Sequence, residues 1–374
     1  MDWAQLHRDV VFGHAGGQII WQPRILAWFT DRAFDGTPLP ERYAGMDPYD
    51  VYRDLGCSAR LYEYNSCFRR IEDERVHVSR FETDGVTETT IDTLVGRQVC
   101  VTRRTPTSWH AITDKREVCS REELRVAAWR EAHAEWAWDG DRFAELQSQV
   151  GDLGAPTMFM PRMNVQSLYI EKMGVEAAIF ALYDWPQDAE AYFSSLEESH
   201  DRLIDVIINS PVDIINFGEN VHAGTLSPEL FQRYHLPACQ HRCERLRGAG
   251  KFTTSHWDGD TGPLLPYARD TGLDAIEAIT PAPQGDVTLE QAREALGDEM
   301  YLMDGIPAVY FDDTFSEQVL EDCARRVIEL FAPRLVLGIS DEISSTGDLE
   351  RVRLVGRIVD EYNRKHLTDT RHCR

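Results

Sequence analysis

His256-Trp257-Asp258 is the densest run of chemically capable side chains in the sequence. In an extended segment residues i and i+2 share a face, so His256 and Asp258 could chelate a metal or work as an acid/base pair. The same spacing also suits a simple turn at Asp258-Gly259 beside a hydrogen-bonded histidine. Glu219-Asn220 and Asp304 are further candidates, and Asp341 reads either as a third metal ligand or as the cap of a turn. Arg24 and Arg162 carry the planar fork that grips a carboxylate or phosphate, although an ion pair with a neighbouring acid would equally satisfy them. Trp21 and Trp257 stand beside these groups. With Trp28, Tyr310 and Phe311 they form either core or, among acids, a cage for a quaternary ammonium. Gly13, Gly16 and Gly17 do not make G-x-G-x-x-G and no G-x-x-x-x-G-K occurs, which disfavours nucleotide-dependent chemistry.

These residues fall at the ends of short apolar runs. The spacing predicts strands over 157–162, 212–219, 251–256, 274–279, 300–305 and 334–340. Helical periods between them predict helices over 186–208, 228–247, 289–296, 317–331 and 348–362, several opened by a cap or an early proline such as Ser227-Pro228. Repeated strand, loop and helix specify an α/β fold, either a barrel or a doubly wound sheet. In a barrel of parallel strands the reacting groups lie where strands run into the following loops, and here those exits are unusually polar.

The first part of the chain differs. Residues 18–24 read as one barrel strand and 61–65 as a possible second, whereas 75–104 alternates around Asp84-Gly85 and Val95-Gly96 as an antiparallel meander. A Trp-rich helical stretch, opened by the capping-box pattern Ser120-Arg121-Glu122-Glu123, is expected over 120–138. Residues 68–150 are therefore expected to decorate one barrel domain spanning 1–374. No internal repeat or low-complexity tract marks a second domain.

Composition narrows the classes of partner. The 39 Lys+Arg stand against 63 Asp+Glu, a formal net charge of −24 that repels nucleic acid and anionic lipid surfaces. The 8 cysteines form no C-x-x-C pair and are expected to be reduced thiols. With no export signal at the start and no apolar run of about 18 residues, the expectation is a cytoplasmic protein that spans no membrane.

In order along the chain, Ile215-Asn216-Phe217-Gly218-Glu219-Asn220, Leu226-Ser227-Pro228-Glu229, Ser255-His256-Trp257-Asp258-Gly259, Gly272-Leu273-Asp274, Asp304-Gly305-Ile306-Pro307 and Leu337-Gly338-Ile339-Ser340-Asp341 resemble the uroporphyrinogen decarboxylase superfamily. The resemblance covers roughly residues 17–362. It implies a distorted (β/α)8 TIM-type barrel and either decarboxylation or methyl transfer between small methylated substrates, corrinoid proteins, thiols or tetrahydrofolate. The thiol-methylating members hold zinc with a His-x-Cys pair and a late Cys, and only the His is matched, by His256. Asp258 and Asp341 stand at the Cys positions, so a His256/Asp258/Asp341 site for zinc or another divalent metal, or no metal, stays open. The decarboxylase's first-strand R-Q-A-G-R-Y-type segment is replaced by Trp21-Gln22-Pro23-Arg24-Ile25-Leu26, in which only Arg24 survives.

The expected reaction is methyl transfer to an acceptor such as tetrahydrofolate or a partner corrinoid protein carrying cobalamin, with His256, Asp258, Glu219 and Asp341 catalytic. Trp21, Arg24, Arg162, Asn220, Trp257 and Asp304 are then expected to bind a small-molecule substrate. Decarboxylation of a porphyrinogen-like or other small carboxylate, and simple ligand binding, are the alternatives, and an oligomer is compatible with all three.

Overall fold

The computed structural model describes residues 1–372, with side chains through His366. Strand β1 (Ile20–Trp21) is followed by a decorated region holding β2 (Phe68–Ile71), β3 (His77–Thr83), β4 (Val86–Thr93), β5 (Gly96–Thr105), β6 (Ser108–Lys115) and β7 (Glu135–Trp138). The barrel strands then resume as β8 (Thr157–Met160), β9 (Ile214–Val221), β10 (Phe252–Trp257), β11 (Ala275–Glu277), β12 (Tyr301–Pro307) and β13 (Leu335–Ser340). The latter six with β1 form one parallel sheet, ordered β1-β13-β12-β11-β10-β9-β8. β10 to β13 are buried along their whole lengths, as expected of strands covered on both faces. This is the α/β arrangement the alternation of runs implies, in the TIM-type rather than the doubly wound form, as the family resemblance implies.

Ile20, Ala155, Ile214, Phe252, Ala275, Tyr301, Met303 and Val336 pack together as the floor of the curled sheet. Helix Trp3–Val11, capped by Asp2, adds Val10 and Val11 to that cluster and plugs this end. The opposite end, where the strands exit, remains for chemistry.

The expected strand over 61–65 is not formed. Tyr62–Cys67 is a tight helical turn, and the stretch before it bridges β1 to the run before β8: Ser58 N–H donates to Trp21 O and Ala59 N–H to Leu153 O. Aromatic anchoring outweighs the local alternation, with Tyr62 edge-on to Phe159 and Tyr64 against Phe143.

The meander is longer than expected, four antiparallel strands ordered β3-β4-β5-β6. It leans on the helices that follow it and β1: the Gln98 amide donates to Glu123 O, and Trp109 Nε1 donates to Asp31 on helix Leu26–Asp35. The helix expected over 120–138 ends at His133. Its tail becomes β7, paired with β2, because alternating Trp136 and Trp138 place Trp138 on Phe68.

The helical run from Pro228 holds a wide π-type turn at Phe231–His235 before Leu236–Gly248, where Pro237 lacks an N–H and crowds the preceding turn. The last helix, Leu349–His372, runs beyond its expected end. Seven cysteines are free thiols, and Cys373 lies outside the described residues. Among the described residues no helix is long and apolar enough to cross a membrane.

Candidate active site

Above the apolar floor the barrel interior turns polar, and its centre is Glu277 on β11. The carboxylate accepts from His256 Nδ1 at 2.9 Å and from the Asn216 amide, and lies 3.1 Å from Arg60 and 3.7 Å from Arg24. The register explains the first contact, since His256 on β10 is paired with Glu277. Arg60 makes two bonds to Asp304 (2.7 and 3.3 Å) and donates from Nε to Gln22. Gly338 admits this arrangement, because any side chain there would collide with the Asp304 carboxylate.

Arg24 forms the next layer. It reaches His256 Nδ1 at 3.5 Å, Glu342 at 3.3 Å and Asp341 at 3.8 Å, and only 11% of its side chain is exposed. His256 and Asp341 therefore share one guanidinium and open onto one site. On the other side of the imidazole, Asp258 stands 3.8 Å from His256 Nε2, Asn220 donates to Asp258 at 3.4 Å, and Arg162 donates to Asn220 at 2.6 Å.

Four non-glycine residues within or just after the barrel strands lie in the left-handed region: Asn220 (φ 52°), Ala278 (65°), Asp304 (79°) and Asp341 (69°). Such backbone is costly, most of all for Ala278, and persists where the surrounding structure dictates it; its concentration here singles this part of the barrel out as the candidate site.

Burial pulls the His256 pKa down, but the carboxylates of Asp258 and Glu277 outweigh it and hold the ring at about 9, so it is protonated at neutral pH. Glu277 is pushed up by burial and pulled down further by Arg60 and His256, to about 2. Asp258 is likewise lowered by His256 against its own desolvation. The result is an imidazolium between two carboxylates, with Nδ1 tied to Glu277 and Nε2 directed toward Asp258.

Not every expected site residue faces this cavity. Glu219 is fully buried on the outer face of β9, where both carboxylate oxygens accept from Met163 N–H at 3.1 Å and Arg242 lies 3.8 Å away; burial raises its pKa to about 8. Trp21 and Trp257 also point outward. Trp21 stacks on Phe311 and donates to Val352 O, and Trp257 packs edge-on to Phe231, so both belong to the layer between sheet and helices. The period-2 alternation that brings His256 and Asp258 inward necessarily turns Trp257 outward. Asp304 lies inside the barrel as the buried partner of Arg60.

Nor do His256, Asp258 and Asp341 converge as a ligand set. The Arg24 guanidinium stands between His256 and Asp341, and among the described residues no three His, Cys, Asp or Glu side chains are grouped to hold a metal ion. With Arg24 and Asp341 on the Nδ1 side of the ring and Asp258 on the Nε2 side, these three residues do not fit a shared divalent ion.

Sequence reasoning missed Glu277, Arg60, Asn216 and Thr254. Asn216 Oδ1, Thr254 Oγ1 and Asp258 Oδ1 are buried without a hydrogen-bond partner among the described residues. Asn216 and Thr254 are register partners on β9 and β10, with Thr254 two residues below His256. Buried polar atoms of this kind can meet the polar groups of a small ligand. The available signal for Glu277 was a lone acid inside the apolar run Ala275-Ile276-Glu277-Ala278-Ile279.

The model of the uroporphyrinogen decarboxylase (URO-D) family matches residues 158–362, which include β9 to β13 and the His256, Glu277 and Asp341 exits. The chain belongs to the uroporphyrinogen decarboxylase family. A solved structure described as a methyltransferase from Methanosarcina mazei is similar at TM-score 0.56 and 14% identity, over 95% of this chain and 97% of that one. A B12-independent methionine synthase from Shewanella sp. W3-18-1 is similar at TM-score 0.43 and 11% identity, over 85% and 86%. No curated protein matches the chain.

Proposed function

We propose that the chain is a methyltransferase that removes a methyl group from a small neutral or cationic substrate, with His256 as the acid that protonates the leaving atom. The observation that supports this reading most is the imidazolium held between Glu277 and Asp258 at a mouth whose cations are already paired. Arg24 answers to Glu277, Asp341 and Glu342, Arg60 to Glu277 and Asp304, and Arg162 to Glu171 at 3.3 Å. An anionic substrate would meet desolvated carboxylates, whereas an ammonium or ether would not.

An ether oxygen or a neutral amine nitrogen departs poorly from a methyl unless it gains a proton, whereas a quaternary ammonium leaves as a neutral amine that takes up the proton only after its lone pair is released. As the methyl–heteroatom bond breaks, Nε2–H of His256 donates, and Glu277 on Nδ1 fixes the ring's orientation and favours its reprotonation. Asp258 steers the donated proton, and Asn216 and Thr254 hold the substrate's polar atoms so that donor and acceptor lie in line. The methyl passes to a separate acceptor, for which the family resemblance suggests a corrinoid protein or tetrahydrofolate.

One observation favours decarboxylation as a second reading. Asp341 is 52% exposed and only loosely paired with Arg24, so a substrate carboxylate could displace it, dock on Arg24 and leave a carbanion for His256 to protonate. The two readings separate on a panel of methylated ammonium, methoxy and small carboxylate compounds, followed by NMR for methyl loss and by carbon dioxide release. Methyl loss that falls in Asp258→Asn while Arg24→Gln stays more active supports methyl transfer. Carbon dioxide release abolished by Arg24→Gln with Asp258→Asn nearly intact overturns it.

A further inference from the structure

Strand β3 is the free edge of the four-stranded sheet, and all seven of its residues are exposed, with Phe81 at 68% and Val78 at 50%. An uncovered edge of this length offers a row of unpaired peptide groups, which proteins ordinarily guard with proline, bulges or repelling charge. β3 has none of these guards. Its sequence, Ser79-Arg80-Phe81-Glu82-Thr83, is instead complementary to its own reversed copy. Laid antiparallel about Phe81, it sets Arg80 opposite Glu82 of a second chain, Glu82 opposite Arg80, Ser79 opposite Thr83, and Phe81 opposite itself.

The backbone phase agrees with this register. Thr83 and Val86 close a two-residue turn at Asp84 (φ 48°) and Gly85 (φ 74°), so they form a hydrogen-bonded pair and the peptide groups of Thr83, Phe81 and Ser79 face β4. Those of Glu82, Arg80 and Val78 then point outward, to the free edge. The two Arg80–Glu82 positions would be the hydrogen-bonded pairs of the new ladder, and Phe81 would fall at a non-hydrogen-bonded pair, where opposing side chains come closest. Side-chain charge is available too. Arg80 has no carboxylate in ion-pairing range among the described residues, and Glu82 has only the exposed Arg104 at 3.5 Å.

We propose that β3 is a self-association edge, and that two copies of this chain join there by a two-fold axis into one continuous eight-stranded antiparallel sheet. The occupant is a second copy because each of the five central positions, Ser79 to Thr83, meets a compatible residue of the strand's own sequence. Centring on Arg80 would oppose two guanidinium groups, so charge also selects the register. A single added strand buries less than a standard interface, so association should depend on concentration.

The test is sedimentation equilibrium of the full chain from about 1 to about 100 μM, with circular dichroism to confirm folding. Wild type should rise from the 42.8 kDa chain mass toward twice that value. Arg80→Glu and Glu82→Arg, each alone, should weaken association about tenfold or more, because two attractive pairs become repulsive. An equimolar mixture of the two variants should associate again, since an edge bearing acids at both positions then meets an edge bearing guanidinium groups at both. The double variant in one chain should also recover. A wild-type monomer throughout, or a dimer indifferent to these changes, would overturn the proposal.

Discussion

The barrel interior and the inserted sheet both carry many charges, and they use them in opposite ways. Inside the barrel, Glu277 by itself serves His256, Arg24 and Arg60; His256 and Arg60 are buried, and Arg24 keeps only 11% of its side chain exposed. On the sheet such ion pairs as Arg103–Asp114 and Arg97–Asp92 are two-body and exposed. Coulomb attraction in the dry interior is strong, but so is the cost of leaving any member unpaired. On the sheet, water supplies the same solvation whether or not the pair forms. The barrel therefore commits its charges to one geometry, and the sheet leaves its edge free to choose a partner.

The sharpest way to break this comparison is Glu277→Ala. It leaves His256, Arg24 and Arg60 without their common counter-charge, so unfolding free energy should fall by about 3–5 kcal/mol, read from urea denaturation. A loss below about 1 kcal/mol would mean that the interior network is solvated like the sheet.

The second effect is on rate. Asp258→Asn keeps the size and removes the charge beside Nε2, so turnover in the methyl-loss assay should drop at least about a hundredfold, equivalent to roughly 2.7 kcal/mol of barrier. The wild-type rate should be level through neutral pH and decline as pH rises through about 9, where His256 loses its proton. A rate that instead climbs through that range would assign His256 the role of base.

Glu219 sharpens the comparison from within the barrel, because its carboxylate is buried yet lies outside the network. Its pKa is raised from 4.5 to about 8, so between those values the folded state holds a proton that the unfolded chain has lost, and stability falls as pH rises through the window. His256 acts in the same sense, its contribution full below its ordinary 6.5, declining from there and lost as pH rises through about 9. Glu219→Gln has no proton to lose. At pH 9 it should be more stable than wild type by about 2 kcal/mol, allowing for relaxation and water entry, and about equal to it at pH 4. Thermal melts at both values check this. A variant no more stable at pH 9 would show that Glu219 is ionised without penalty.

How much of this was legible in the sequence follows from where each signal is local. β9 to β13 were readable because strands buried on both faces are apolar runs, and their polar ends marked His256, Asp258 and Asp341. Glu277 escaped because its role is set by cross-strand register, and Arg60 because it reaches the centre from an irregular segment with no periodicity of its own. Trp21 and Trp257 were misplaced for a related reason. Adjacency along a strand puts a residue on the opposite face, so nearness in sequence to Arg24 or His256 argued against a shared cavity. The same alternation turned Glu219 away while it kept Asn220 at the rim.

The smallest expected effect lies on the sheet and is the control for all the others. Arg103 and Asp114 make two bonds at 2.9 Å, a geometry as good as that of Arg60 and Asp304, but both side chains stand in solvent. If geometry alone set the strength of an ion pair, Arg103→Ala would cost as much as loss of an interior contact. If burial sets it, the released Asp114 regains water at once and the change in unfolding free energy is the smallest of these effects, shrinking further in added salt. Urea denaturation of Arg103→Ala at low and at high ionic strength decides the matter. A loss of several kcal/mol that persists in salt would mean that the sheet face is covered in solution, and the contrast between the two regions would have to be redrawn.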